Sequence, residues 1–412
     1  MSRRLVTFVI SCFALFGALI PSPMAAADGL DVTRLTHSTS FPNSIGFSLS
    51  ATADANIVDA RLHYQVDRQG FAQVSNEVII KITPAQEVSL SYSLNLRRVG
   101  GLPPGTTISY WWTLYNTDRR EFTTKINTLT FDDERYQWQA LEQGMVTLYW
   151  YSGSQSFAAE LMATAQQALT KLENDTGAQL TEPVAIYIYD GAQALQGSMV
   201  FPQEWTGGVA FTNFNTIAIG IETSNLTWGK RAVVHELAHL VTNQMTSNPY
   251  NSIPTWLNEG LSMYAEGTLD AIYVVFYNQA LDQKSLISVR SLSSPFSAFA
   301  NVSYLSYAES YHIVKYLVDK YGQDKMLQLQ DTFALGASPD GALTAVYGFD
   351  MDGLDAEWQK YAYSAAPDRT QSGVTWTPWL VALIVLVSGA SVIIGVWLFY
   401  PKVVARNERA EK

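Results

Sequence analysis

The residues with the clearest chemical potential lie in one short segment, His-Glu-Leu-Ala-His, which runs from His235 to His239. Residues four apart share one face of an α-helix, so the two imidazoles can converge on a single metal ion. Glu236 follows His235 along the same turn and points toward the open side of such a site. Zinc favours nitrogen and oxygen donors in a tetrahedral array, and a catalytic zinc keeps one position for water. The segment therefore predicts a zinc site with a carboxylate beside it.

A third protein ligand is expected downstream, in the segment Trp-Leu-Asn-Glu-Gly that ends at Gly260. Glu259 lies 20 residues beyond His239, and Pro254 marks a loop between two helical stretches. This spacing lets an antiparallel helix return and present a carboxylate to the same ion. The alternative is that these residues decorate a helix without binding metal, but the first helix is too apolar for a freely solvated face. We therefore predict that His235, His239 and Glu259 bind the metal.

The pattern resembles the gluzincin metallopeptidases, the clan of thermolysin and aminopeptidase N. The wider run, which includes Tyr-Ala-Glu-Ser from Tyr307 and the segment 314–322, is similar to the peptidase MA-like domain of secreted bacterial proteins. This resemblance covers about residues 140–365. It implies that zinc polarises the substrate carbonyl while Glu236, as general base, takes a proton from water and later delivers it to the leaving amine.

Such enzymes usually also carry a donor that stabilises the oxyanion of the reaction. Tyr304, Tyr307 and Tyr311 are the candidates, and we favour Tyr307, which aligns with the family's tyrosine before a small polar residue. The alternative is that these tyrosines are core or surface aromatic residues. His312 is the reserve candidate, because some gluzincins use a histidine for this role.

Three features limit the analogy with the best known members. Thermolysin-like enzymes have an acidic residue four positions after the third ligand, where this chain has Met263; Glu266, on the same helix face, is the candidate replacement. The amine-binding motif of aminopeptidase N is not evident, and residues 207–211 supply no carboxylate for a free amino terminus, which weakens an exopeptidase interpretation. The segment 208–221 is either an edge strand that pairs with an extended peptide or an ordinary sheet strand.

Both ends of the chain carry patterns of membrane targeting. Residues 1–27 combine two arginines with an apolar run and small residues, which is typical of a cleaved secretory signal; a lipoprotein signal at Cys12, the only cysteine, is the alternative. Residues 379–400 form an uncharged apolar stretch with aromatic residues near both ends, long enough to cross a bilayer. Basic residues follow in the segment 401–412. The positive-inside rule then predicts a single-pass protein of the cell membrane with an extracytoplasmic body and a cytoplasmic tail.

Between these ends the pattern of apolar residues changes once. From Ile45 to about Phe131 it alternates with period two, which predicts about seven short strands. We therefore expect residues 28–138 to form an immunoglobulin- or fibronectin-like β-sandwich domain. Residues 139–367 then predict an α+β metallopeptidase domain, with a helix over 157–172, a strand over 184–189 and mostly helices after them. Residues 368–378 are a predicted linker to the membrane.

The net charge of −11 and the lack of an internal Lys and Arg cluster argue against a nucleic-acid partner. The expected partners are a peptide or protein substrate and the lipid bilayer, and the predicted function is that of a membrane-anchored zinc metallopeptidase. The alternative is a surface binding protein, whose sandwich uses aromatic residues such as Trp111 and Tyr115 and whose metal only stabilises the fold. Glu236 favours the enzyme, because a structural metal site needs no base. A hydrolase of another bond, such as an ester, would use the same residues.

Overall fold

The computed structural model describes four stretches of the chain, which contain two β-sheets and a set of helices: residues 29–70, 72–202, 206–297 and 300–365. The described residues fall into two compact units, one that ends at Trp358 and one that begins at Gln359. Both sheets belong to the first unit. The predicted mixture of strands and helices, with a β-sheet region first and a helical region after it, is confirmed.

The predicted signal peptide, the linker, the membrane helix and the cytoplasmic tail lie outside the described residues. Within the described part of the chain, no helix has both the length and the apolar character that a membrane crossing requires.

The N-terminal sheet contains seven antiparallel strands. They are β1 (Leu30–Ser40), β2 (Ser44–Val66), β3 (Ser75–Ile80), β4 (Ala85–Asn95), β5 (Thr106–Asn116), β6 (Glu121–Thr123) and β7 (Asn127–Phe131). Apolar and polar residues alternate along them, so one face of each strand is buried, as Val88, Leu90 and Leu94 show in β4. The predicted count of strands agrees with this sheet.

The N-terminal sheet folds over on itself into two layers, and the long strand β2 runs through both of them. Its first half pairs with β1 and β4, and its second half pairs with β3 and β5; the pairing with β4 shifts register between Thr52 and Ile57. The two halves bury their apolar faces against each other, and the Phe47 ring lies 6.3 Å from the ring of Tyr64 and 5.0 Å from that of Tyr110. The layers are therefore parts of one continuous sheet that folds over a single core, whereas the predicted sandwich type has two separate sheets.

The second sheet has five strands: β8 (Gln139–Gln143), β9 (Val146–Trp150), β10 (Val184–Tyr189), β11 (Gly208–Phe211) and β12 (Thr216–Gly220). Their order is β11-β12-β10-β9-β8, with the three central strands parallel and both outer strands antiparallel to their neighbours. The predicted strand over 184–189 has the same bounds as β10. The segment 208–221 contains two strands, of which β11 forms an edge of the sheet.

Nine helices are described: α1 (Gln155–Thr176), α2 (Gly191–Gln196), α3 (Leu226–Thr246), α4 (Thr255–Glu266), α5 (Ala271–Gln283), α6 (Ala300–Tyr321), α7 (Gln323–Ala334), α8 (Pro339–Tyr347) and α9 (Met351–Ala365). The predicted helix over 157–172 lies within α1, which begins where the Ser154 hydroxyl accepts a hydrogen bond from the Phe157 amide. α1 and α3 pack on one face of the second sheet, where Ile186 and Ile188 are buried.

The segment between the two sheets is fixed by one buried carboxylate. Asp133 is fully buried; it accepts hydrogen bonds from the Arg135 guanidinium at 2.6 and 2.7 Å and from the Tyr189 hydroxyl at 3.1 Å. Because side chains alternate along β10, Tyr189 lies on the face opposite Ile188. The N-terminal sheet is thus attached to the second sheet on the side away from α1 and α3.

Candidate metal centre

Helix α3 carries two of the predicted ligands and the predicted base. Val233, Leu237 and Leu240 are fully buried in the core between α3 and the second sheet, which fixes the rotation of the helix about its axis. His235 and His239 therefore occupy another face, where each side chain keeps a small exposed fraction. The hydrophobic pattern thus determines which way the imidazoles point.

Helix α4 returns alongside α3 and presents the third residue. It starts after Pro254, whose extended backbone ends the preceding loop, and the fully buried Trp256 and Leu257 anchor its first turn. A Cβ at Gly260 would lie 2.5 Å from the carbonyl oxygen of Ser310 in α6. Glycine therefore lets α4 and α6 cross in direct backbone contact, beside Glu259.

The three predicted ligands meet at one point. The Nε2 atoms of His235 and His239 are 3.1 Å apart, and Glu259 Oε2 lies 3.5 Å from each of them. A tetrahedral zinc ion with ligands about 2.0–2.1 Å away separates its ligand atoms by about 3.3 Å. The observed spacing of the three donor atoms fits such an ion.

The hydrogen bonds around the cluster also fit a cation. His235 donates from Nδ1 to Glu266 Oε1 at 2.7 Å, and His239 Nδ1 lies 3.1 Å from Asn258 Oδ1, which can only accept. Because the proton of each neutral imidazole then lies on Nδ1, Nε2 carries a lone pair, and the two Nε2 lone pairs point toward each other. Glu259 Oε2 is buried and has no hydrogen-bond partner in the described part of the chain. Three electron-rich atoms in contact repel each other unless a cation lies between them.

The carboxylates also make the cluster attractive to a proton. Burial by itself lowers the pKa of His235, but the neighbouring carboxylates of Glu259 and Glu266 outweigh burial and raise that pKa to about 10. Burial raises the pKa of Glu259, yet the two histidines more than offset it and hold that pKa well below its usual range. Protons and metal ions therefore compete for the same imidazole nitrogens.

Glu266 replaces the acidic supporting residue that thermolysin-like enzymes carry where this chain has Met263. Met263, the residue at the family's acidic position, is buried and apolar, whereas Glu266 binds His235 from one turn further along α4. Arg231 holds the other oxygen of Glu266 at 2.7 and 3.0 Å and also contacts Asp270. This arrangement fixes the orientation and tautomer of His235.

Two supporting residues were missed in the sequence analysis. Ser262 Oγ lies 3.0 Å from His239 Nδ1, beside Asn258, so both residues orient this imidazole from α4. Asn258 and Ser262 are four residues apart and share one face of α4, and Ser262 is three residues from Glu259. This spacing was the available signal, and it becomes informative only once Glu259 is taken as a ligand.

Glu236 lies between the metal cluster and the edge strand β11. Burial raises the pKa of this carboxyl, while the neighbouring histidines oppose the rise. A Cβ at Gly208 would lie 2.7 Å from Glu236 Oε1. The absence of a side chain at Gly208 therefore leaves the space that the carboxylate occupies.

Of the four candidate oxyanion donors, Tyr307 lies beside the cluster, with its ring centre 6.5 Å from that of His235. Its pKa is raised chiefly by burial and further by nearby Glu259. Tyr304 packs against Tyr273 and Phe276. The other two candidates contact each other, and His312 also stacks on Tyr277, with ring centres 3.9 Å apart.

We expect Glu266→Ala to weaken metal binding about 10- to 100-fold, because His235 loses the acceptor that orients it. Competition with a chelator of known affinity measures this change. Asp270→Ala is the matched control, since Asp270 contacts the same Arg231 but no histidine of the cluster. Equal metal affinities in the two variants would contradict the role of Glu266.

The family relationship is decided by sequence comparison. Residues 164–364 match the Peptidase MA superfamily. This stretch is a Peptidase MA superfamily domain. It begins within α1 and ends within α9, so the Peptidase MA domain contains every residue of the metal cluster. The resemblance predicted from the zinc motif is confirmed.

No curated protein matches the sequence. Among solved structures, the M1 zinc metallopeptidase of Deinococcus radiodurans is 14% identical over 86% of this chain and 97% of its own, with a TM-score of 0.34. Catalytically inactive OgpA of Akkermansia muciniphila, in complex with an O-glycopeptide, is 12% identical over 27% of this chain, with a TM-score of 0.20; the match spans 32% of that chain.

Proposed function

We propose that the Peptidase MA domain hydrolyses peptide bonds, with a zinc ion held by His235, His239 and Glu259. The observation that supports this proposal is the convergence of two imidazole nitrogens and an unpartnered carboxylate oxygen within 3.5 Å of one another, beside Glu236. Zinc bound by such a donor set acts as a Lewis acid toward the substrate carbonyl and lowers the pKa of water at its open position.

Glu236 is the group that moves protons in this proposal. Its carboxylate takes a proton from the attacking water and delivers it to the nitrogen of the leaving amine. Burial favours the protonated form of this carboxyl, which helps it to hold the proton between the two transfers. A site that only stabilised the fold would not need a half-buried carboxylate at this position.

The substrate is expected to pair with the free edge of β11. The Gly220 amide donates to the Gly207 carbonyl at 2.9 Å, and in an antiparallel ladder the backbone groups of alternate residues then point away from β12. Gly208 and Ala210 therefore direct their N–H and C=O groups toward the open edge. An extended peptide bound there would pass next to Glu236, and its backbone would supply most of the binding contacts.

We propose Tyr307 as the donor to the oxyanion. We expect Tyr307→Phe to lower kcat about 100- to 1,000-fold with little change in KM, because the hydroxyl is needed mainly in the transition state. Steady-state kinetics on one peptide substrate measure both constants. Tyr304→Phe is the control, since that tyrosine lies against Tyr273 and Phe276. A Tyr307→Phe enzyme with unchanged kcat would exclude this assignment.

The aromatic residues on which the binding-protein alternative depends are partly covered. The Trp111 ring stacks on His63, with ring centres 5.2 Å apart, and Arg61 lies over Tyr115 at 5.5 Å. Both aromatic side chains are half-buried on the outer face of the N-terminal sheet. They offer a partner less surface than the sequence suggested, which favours the enzymatic interpretation.

The proposal is tested by metal analysis and a peptide-library digest of the full chain in detergent, with and without a chelator. About one zinc per chain and cleavage that the chelator stops are the expected results. Zinc without cleavage of any peptide would favour another substrate class or a binding function. Absence of bound metal would remove the basis of the proposal.

We further propose that the Peptidase MA domain acts outside the cytoplasm, tethered to the cell membrane by residues 379–400. The support is in the sequence, where a secretory signal pattern over 1–27 and an apolar stretch followed by basic residues indicate this topology. Protease accessibility of the domain in intact cells tests it.

A further inference from the structure

A cavity of about 340 Å³ opens beside the metal cluster, and we call it the amide pocket. It lies between the turn after β11, the last turns of α3 and the loop that leads to α4. His239 and Asn258 form the wall that it shares with the cluster. The amide pocket is therefore continuous with the site of the proposed chemistry.

The lining of the amide pocket is polar and uncharged. Apart from His239 and Ile253, its described lining residues are asparagines, serines and threonines, and none of them is Asp, Glu, Lys or Arg. In the described part of the chain, five of these side chains make no hydrogen bond: Thr212, Asn213, Asn243, Ser247 and Ser252. They offer both donors and acceptors to a ligand.

The lining is held in place by asparagines that are already bonded. Asn248 donates from Nδ2 to the Phe333 carbonyl at 2.9 Å, and Asn251 donates to the Gly336 carbonyl at 2.8 Å. These bonds attach the loop before α4 to the end of α7. Ser252 belongs to this attached loop, so this part of the wall is already in position for a ligand.

The position of the amide pocket relates it to a bound peptide. Glu236, His239 and Asn243 follow one another at helical spacing on α3, so the pocket begins about one turn beyond the proposed base. β11 runs in the same direction, from Gly208 beside Glu236 to Thr212 at the pocket. Four strand residues span about 13 Å, so a peptide along this edge reaches the pocket within about four residues of the scissile bond.

We propose that the amide pocket receives an uncharged amide or hydroxyl side chain of the substrate, an inference that rests on the proposed peptidase function. A charged side chain would lose its hydration and find no opposite charge among the described lining residues. An apolar side chain would displace water from the amides and hydroxyls of the wall and offer them no hydrogen bond in exchange. A side chain of Asn, Gln, Ser or Thr satisfies both requirements.

The test starts from the sequence that the enzyme cleaves fastest in the library digest. Each of the four positions on both sides of the scissile bond is replaced in turn by Gln, Ser, Leu, Glu or Lys, and kcat/KM is measured for every peptide. We expect one position at which Gln or Ser exceeds Leu, Glu and Lys by about tenfold or more. A preference for apolar or charged residues at every position would overturn the proposal.

Two substitutions connect this preference to the amide pocket. Asn243→Leu on α3 and Asn213→Leu on the turn after β11 each replace an amide by an apolar group of similar size. Each is expected to reduce the preference at that position at least threefold, and Asn174→Leu, at an exposed position of α1, is the control. The preference is a ratio between peptides, so a partial loss of folded protein does not alter it. An unchanged preference in both variants would overturn the assignment.

Failure of the proposed function is distinguished by a binding measurement. If the wild-type chain cleaves no peptide, that function fails, and the same Gln, Ser, Leu, Glu and Lys substitutions are made in a fluorescein-labelled polyalanine octapeptide titrated against the chain. The amide pocket would still be supported if the Gln or Ser peptides bound the wild-type chain more tightly than the Leu, Glu and Lys peptides did. The substitution Asn243→Leu or Asn213→Leu should then weaken binding of the Gln or Ser peptides. Binding without this difference would overturn it.

Discussion

Replacing Glu236 by glutamine is expected to lower kcat for peptide hydrolysis about 100- to 10,000-fold while the metal content stays at one ion per chain. The amide has the same size as the carboxylate and fits the space beside Gly208, but it cannot accept a proton from water. Because Glu236 is not among the three converging donors, its loss leaves the cluster intact. Stopped assays of a peptide substrate and mass-spectrometric metal analysis on the same preparation measure both quantities.

Glu142→Gln is the matched control for this substitution. Glu142 lies exposed on β8, the opposite edge of the second sheet from β11, and the same chemical change there should leave kcat unaltered. Full hydrolysis by the purified Glu236→Gln protein would disprove the proposed mechanism. Loss of the metal in that variant would instead assign Glu236 to the cluster.

Removing the imidazole of His239 is expected to abolish both metal binding and hydrolysis. In His239→Ala, two protein donors remain where a catalytic zinc site needs three, so metal content should fall from about one ion per chain to near zero. Activity should fall to the level of the chelated wild-type protein. Metal analysis after dialysis against a weak chelator, followed by the same peptide assay, tests both expectations.

His63→Ala provides the comparison, because it removes a histidine from the N-terminal sheet, outside the cluster. That variant should retain one metal ion and full activity. If His239→Ala kept its metal, the imidazole would not be a ligand. If it lost the metal and kept the activity, hydrolysis would have to occur elsewhere on the chain.

The metal cluster and several strands could be predicted from the sequence, because each depends on particular residue types at a fixed spacing that few structures produce. Two histidines four apart on an apolar helix, with a glutamate after a proline-containing loop, predicted a cluster whose atoms lie together in the structure. Hydrophobic alternation predicted the strands of the N-terminal sheet, and a short apolar run predicted β10 with the bounds that the structure shows. Such patterns record local geometry, which depends on nearby residues.

Features that depend on distant contacts could not be predicted in the same way. Asn258 and Ser262 are common residue types in helices, and their hydrogen bonds to His239 follow from the packing of α4 against α3. The passage of β2 through both layers depends on pairing with four other strands. The amide pocket forms only when the turn at Thr212 and Asn213 packs against the end of α3 and the loop that follows it, which are distant from the turn in sequence.

The close crossing of α4 and α6 at Gly260 limits motion on one side of the metal cluster. Backbone atoms of the two helices approach closely there, so we expect Glu259 on one helix and Tyr307 on the other to move together. Among the described strands, β11 pairs on one side only, through four residues at the edge of its sheet. Breathing motions that admit and release a peptide are therefore expected at β11, and its amides should exchange with solvent deuterium before those of α4 and α6.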